Sequence, residues 1–147
     1  MNARDYSFEE LIALVEEKAR EEQPEAVKRA ADVYKHLYKY ANESREHFIA
    51  ITLDGASRII ETRVISIGTL SQSLVHPREV FRPAIQDNAA GIIVAHNHPS
   101  GTLLPSRADN SITNRLREAG QILGVDLLDH LIITPTGFYS YADEGLL

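Results

Sequence analysis

The chain contains no cysteine among its 147 residues. Disulfides and thiolate ligands are thereby excluded, so any metal site has to be built from histidine and carboxylate. Zinc deaminase chemistry, which needs a Pro-Cys-x-x-Cys ligand pair, falls on the same ground. No run approaches the ~20 apolar residues of a membrane-spanning helix. The acidic, charged N-terminus lacks the layout of a secretory signal. These absences predict a soluble, cytoplasmic protein with no membrane contact. Positive charge is also scarce: 15 Lys and Arg face 21 Asp and Glu, a formal net charge of −6. Affinity for phosphate backbones is driven by cationic side chains that displace counterions, so direct nucleic-acid binding is not expected. No repeat or low-complexity segment appears. The length suits one domain that buries roughly two-thirds of its unfolded surface.

What the chain does have is concentrated between His96 and Asp109: His-Asn-His-Pro-Ser-Gly-Thr-Leu-Leu-Pro-Ser-Arg-Ala-Asp. Gly91-Ile92-Ile93-Val94-Ala95 is short, apolar and β-branched, and reads as a buried strand that delivers the histidines at its end. In extended chain, side chains at i and i+2 share a face, so His96 and His98 can offer nitrogens to one ion. Pro99, Ser100 and Gly101 mark a turn. Pro105-Ser106 then precedes a helical pattern of Ile112, Leu116, Ala119, Ile122 and Leu123 that ends near Gly120 or Gly124. With Ser106 as N-cap, Asp109 lies in the first turn, where exposed amides and the helix dipole favour an ionised carboxylate. Two His and one carboxylate leave a tetrahedral Zn²⁺ one position for water, the arrangement of catalytic sites. A lone strand-end His, or a lone Ser-x-x-Asp cap, would have an ordinary structural explanation; their conjunction is what points to a metal.

Together these residues spell H-x-H-x7-S-x-x-D, the JAMM signature of the JAB/MPN metalloprotease superfamily. The flanking His-Asn-His-Pro-Ser-Gly, the stretch Val75-His76-Pro77-Arg78-Glu79-Val80 and Asp129-His130-Leu131-Ile132 resemble its RadC branch, over residues from about Glu46 to Leu147. Asn97 stands where eukaryotic members mostly carry Ser or Thr, so no ubiquitin-linkage substrate is carried over. The resemblance implies a cytidine-deaminase-like α/β fold: a curved mixed sheet with helices on both faces. It implies Zn²⁺ held by His96, His98 and Asp109, and hydrolysis of a peptide or isopeptide amide in a protein or peptide substrate. It also implies a Glu at the head of an upstream strand as general base, and Ser106 as the hydrogen-bond donor to the developing oxyanion. Helix capping by Ser106 is expected to compete with that use.

Three glutamates are candidates for the base. Glu46 opens the β-branched run His47 to Leu53, closed by the hairpin signal Asp54-Gly55, and its placement matches the superfamily's Glu. Glu61 lies in the second strand of that hairpin, and Glu79 sits in a helical first turn, where acids are favoured without catalysis. His130 reads as a hydrogen-bonded strand-edge residue, with a supporting contact behind the ligands as the alternative. Arg78 has a weak claim to bind a substrate carboxylate or phosphate. The elements expected are a hairpin of Glu46 to Leu53 and Arg58 to Leu70, and a helix from Pro77 that Pro83 kinks or ends. The strand to Ala95 and the helix from Ser106 follow, then strands Leu127 to Thr134 and Phe138 to Tyr141.

Residues 1–43 read as an N-terminal helical extension and 44–147 as the catalytic domain. Full-length RadC proteins carry an N-terminal helix-hairpin-helix region, which the resemblance does not find here. The first helix carries a Ser7-x-x-Glu10 capping box and a stripe of Phe8, Leu11, Ile12 and Val15. The second begins near Pro24 and presents Val27, Ala30, Ala31, Tyr34, Leu37 and Tyr38. Both stripes are expected to pack on the core, with a homodimer contact as the alternative. The functions that compete with a zinc hydrolase are a DNA-repair or mobile-element accessory role and a non-catalytic MPN scaffold.

Overall fold

The computed structural model describes residues 5–21, 26–70 and 74–147. Helix α1 (Phe8–Glu21) and helix α2 (Ala30–Leu37) precede the hairpin of β1 (His47–Leu53) and β2 (Ile59–Ile67). Helix α3 (Pro77–Gln86), strand β3 (Gly91–Asn97), helix α4 (Arg107–Leu123) and strands β4 (Asp126–Thr134) and β5 (Gly137–Ser140) complete the chain. The strands form one sheet in the order β2-β1-β3-β4-β5. All neighbours are antiparallel except β3 and β4, which run parallel because α4 carries the chain back between them. This is the expected α/β arrangement of a mixed sheet with helices on both faces. No helix among the described residues is long and apolar enough to cross a membrane.

Strand alternation divides the core. Phe48, Ala50, Ile92 and Val94 pack with α3 and α4 through Val80, Phe81, Ile112 and Leu116. Ile49, Ile51, Leu53, Ile93 and Ala95 pack on the other face with Ala30, Val33 and Leu37 of α2. Every residue of β3 is buried, as a continuous apolar run in the middle of a sheet requires. The parity continues past the apolar run, so His96 falls on the α3–α4 face and Asn97 on the α2 face. Ile92 pairs with Leu127 but Ile93 pairs with Asp129, so Leu128 is bulged out of register. From there His130, opposite Val94, shares the face of His96.

Helix α4 is capped at both ends. Ser106 Oγ accepts the Asp109 N–H at 3.0 Å, and the Asp109 carboxylate accepts the Ser106 N–H at 2.8 Å. At the other end Gly124 adopts φ 74°, a left-handed conformation that costs little without a Cβ. Helix α3 continues for three residues beyond Pro83. The helix therefore ends three residues past the proline expected to kink or end it: a proline near the C-terminal end removes one hydrogen bond from a helix already about to stop.

The two N-terminal helices behave differently. Ser7 and Glu10 form the expected capping box on α1. Its stripe is not covered, however: Phe8, Ile12 and Val15 are exposed, which corrects the expectation that both stripes pack on the core. Helix α2 does pack, with Val33 and Leu37 fully buried, each worth about 1.5–3 kcal/mol. Pro24, expected to open that helix, lies outside the described residues. The described chain resumes at Ala26, which bridges Arg58, and Val27 N–H donates to Ser57 O. The helix starts only at Ala30, after the Asp32 carboxylate has accepted the Lys28 and Arg29 N–H groups.

Candidate metal centre

Strand β3 ends by placing His96 and His98 on one side, and the N-terminal turn of α4 brings Asp109 to meet them. His96 Nε2 lies 2.9 Å from His98 Nε2 and 3.1 Å from Asp109 Oδ1, while His98 Nε2 lies 3.3 Å from Asp109 Oδ2. All three residues are buried. Tetrahedral bonds of ~2.0–2.1 Å space donor atoms by about 3.3 Å, so the set has the size of a zinc site.

Hydrogen bonds behind the ligands assign which nitrogens carry protons. Thr113 Oγ1 lies 2.7 Å from the Asp109 carbonyl and 2.6 Å from His130 Nδ1. A carbonyl only accepts, so the hydroxyl gives it its single proton and receives one from His130 Nδ1–H. The reverse assignment would leave two acceptor oxygens facing each other. His130 Nε2 then holds a lone pair and accepts His96 Nδ1–H across 2.8 Å. The lone pair of His96 is left on Nε2, at the centre. On the other ligand, His98 Nδ1–H donates to Thr102 O at 2.8 Å and again leaves Nε2 free. Two imidazole lone pairs and a carboxylate therefore converge on one point. Such a set repels itself unless a cation sits within it, and the residues fit a divalent metal.

Without a cation at the centre, protons on the imidazole Nε2 atoms take its place, and the carboxylate and imidazoles then favour one another's charge. Burial, the largest influence on Asp109, would raise its pKa. The two imidazoles and the Ser106 N–H overcome it and hold the carboxyl far below the usual range. Burial also opposes protonation of His98, but Asp109, the Thr102 carbonyl and the charge of Glu46 together raise its pKa. His130, fully enclosed, is held well below its ordinary value by burial and then by the neighbouring His96. It is a neutral imidazole, packed in a stack with Tyr141 at 4.9 Å between ring centres and edge-on to Phe48 at 5.9 Å.

His130 is thus not a strand-edge residue. Its strand is interior, flanked by β3 and β5, and its ring stands directly behind His96. The contact depends on the parallel pairing of β3 with β4 and on the bulge at Leu128, neither of which leaves a local mark in the sequence.

Glu46 lies immediately before β1, near enough for its charge to act on His98. Its carboxylate accepts the Leu70 N–H at 2.6 Å and its carbonyl accepts the Gly68 N–H at 2.8 Å. It lines a cleft of about 390 Å³ with Arg45, Gly68, Thr69, Pro99 and Ser100, so it faces the turn that follows His98. Glu61 is exposed on β2, paired with Thr52 in the half of the hairpin remote from His96. Glu79 is exposed in the first turn of α3. Ser106 caps α4 through an oxygen lone pair, which leaves its hydroxyl proton available to donate. The expected competition between its two uses is therefore removed. Of the remaining histidines, His36 bonds Thr62 Oγ1, His47 bonds the Arg45 carbonyl and His76 is the N-cap of α3.

The sequence profile of the RadC-like JAB domain family matches residues 27–146, and so takes in α2. A UPF0758 protein of Rubrobacter xylanophilus is 50% identical over 109 residues, covering 74% of this chain and 48% of the relative. One from Geobacter sulfurreducens is 50% identical over 116 residues, 78% of this chain and 51% of the relative. A third, from Thermotoga maritima, is 45% identical over 124 residues, 84% and 56% respectively. The chain spans about half the length of the curated relatives it matches. With this match extending from α2 to the C-terminal residues and the two histidines and aspartate gathered at one point, the chain belongs to the RadC-like JAB domain family.

Proposed function

We propose that this domain is a zinc-dependent hydrolase that cleaves a peptide or isopeptide amide bond in a protein or peptide substrate. The observation that carries the reading is the convergence of His96 Nε2, His98 Nε2 and an Asp109 oxygen within 2.9–3.3 Å, with the protons of both imidazoles engaged elsewhere. The absence of cysteine makes this a site of nitrogen and oxygen ligands only. A bound divalent ion would supply Lewis acidity, lowering the pKa of water from ~15.7 toward about 7.

The chain's own groups supply the rest. Glu46 takes the proton of the attacking water and delivers it to the leaving amine, working from the cleft wall opposite Pro99 and Ser100. The Ser106 hydroxyl donates its free proton to the substrate oxygen as charge develops there. His130 and Thr113 hold His96 in the tautomer that a ligand needs.

The test is profiling of a cell lysate treated with zinc-loaded protein, against the same lysate treated with Glu46→Gln. The wild type should generate new peptide termini, and Glu46→Gln should keep metal and fold while losing ~10²- to 10⁴-fold in rate. Glu79→Gln should behave as wild type. Identical termini with both variants, or loss confined to Glu79→Gln, would contradict the assignment of the base.

A further inference from the structure

Asn97 sits between the two histidines, fully buried, with its side chain on the opposite face of the sheet. Both amide protons and the carbonyl oxygen of its carboxamide are engaged. Oδ1 accepts the His47 N–H at 2.7 Å, and Nδ2 donates to Glu43 O at 3.2 Å and to Arg45 O at 3.0 Å. All three partners are backbone groups of residues 43–47, the segment that leads into β1 and carries Glu46. No other side chain offers one acceptor and two donors at this length: Asp would set an anion against two carbonyls, and Ser or Thr would supply one donor on a shorter arm.

We propose that Asn97 is a positioning residue that fixes the distance between Glu46 and the metal ligands. The backbone on either side of Asn97 carries His96 and His98, so whatever Asn97 holds is held relative to the ion's ligands. Glu46 lies inside the segment it holds: Glu43, Arg45 and His47 are bonded to Asn97, and the Glu46 carbonyl is pinned from the other side by Gly68 N–H. The glutamate is clamped between β3 and the chain after β2, and its carboxylate is steadied by Leu70 N–H. A base on a strand lead-in would otherwise fray with that lead-in. Displacement of a reacting group by ~1 Å costs ~10²-fold in rate, so the clamp matters to proton transfer and not to metal binding. The catalytic part of this inference rests on the hydrolase reading above; the structural part does not.

The experiment uses the full chain with nuclear magnetic resonance and metal analysis. In the wild type, a through-hydrogen-bond correlation should join the His47 amide to the Asn97 side-chain carbonyl. In Asn97→Ser and Asn97→Asp, metal content should stay at the wild-type level. The Leu70 amide should then exchange about tenfold faster in both variants, and the His47 amide in Asn97→Ser, which loses its acceptor, as the loss of one hydrogen bond predicts. On any substrate the wild type cleaves, kcat should fall ~10²-fold with KM little changed. Unchanged exchange at Leu70, loss of metal along with the clamp, or absence of the correlation in the wild type would each overturn the proposal. The correlation needs no variant to fold. Absence of hydrolysis in the wild type would sink the hydrolase reading and the catalytic part with it, while the exchange data still decide whether Asn97 holds Glu46.

Discussion

Replacing Thr113 with Val removes one hydroxyl with almost no change of shape, and so isolates the assignment of protons behind His96. Thr113 Oγ1 is buried and makes two short contacts, to the Asp109 carbonyl and to His130 Nδ1. The carbonyl keeps its helical partner in the variant, but His130 Nδ1–H is left buried without an acceptor, at a cost of ~1–3 kcal/mol. For a domain of this size each kcal/mol shifts Tm by ~2–4 °C, so a fall of roughly 2–12 °C is expected. His130 can escape the penalty by moving its proton to Nε2. That proton then faces His96 Nδ1 and drives the His96 proton to Nε2, where the ligand lone pair has to be. Loss of such a supporting contact costs about 10–100-fold in metal affinity, or ~1.4–2.8 kcal/mol. Competition titration against a chromophoric chelator measures the affinity, and a thermal melt in the presence of chelator measures stability apart from metal. Thr113→Ser, which keeps the hydroxyl, should bind metal within about twofold of wild type. If Thr113→Val loses stability but binds metal as tightly as Thr113→Ser, the reasoning from tautomers is refuted and His130 is packing alone.

Further outcomes follow from charge. Arg63 donates to both oxygens of Asp87 at 2.6 and 2.7 Å, and this guanidinium is the main reason the carboxyl is held below its ordinary pKa. A depressed folded pKa gives stability that is present above the unfolded value of ~3.9 and lost as pH falls through the folded one. Asp87→Asn should therefore cost about 1 kcal/mol in a denaturant titration at pH 7 and progressively less below pH ~4; a cost that grows toward acid would contradict the assignment. DNA should bind weakly and only at low salt, given the net charge of −6. Nanomolar affinity at physiological ionic strength, measured by fluorescence anisotropy, would overturn that and favour a repair role.

The centre was legible in the sequence because its ligands are local. His96 and His98 share a face by strand parity, and Ser106 to Asp109 is a capping box, so three ligands from one strand, one turn and one helix start can be read without knowing the fold. What stayed hidden is long-range. His130 reaches His96 only through a parallel pairing whose register is shifted by the bulge at Leu128. Asn97 could be read as a residue between ligands, but its hold on residues 43–47 exists only once β1 and β3 are neighbours. The uncovered stripe of α1 has a different origin: amphipathic periodicity says that a face is apolar and not what covers it. Pro83 marks only the neighbourhood of its helix's end, because a proline's cost depends on how many turns follow it, and here three residues do.

The central claim, that His96, His98 and Asp109 hold one catalytic divalent ion, is tested most directly by elemental analysis of protein purified without chelator, alongside His96→Ala and Asp109→Ala. The account predicts about one zinc per chain in the wild type and none in either variant, with all three folded by circular dichroism. Full metal content in both variants would place the ion elsewhere and contradict the account. Stoichiometric iron, lost in both variants, would leave the ligands standing but contradict the zinc-hydrolase reading, because two histidines and a carboxylate also serve oxygen-activating iron, whose chemistry is not hydrolysis.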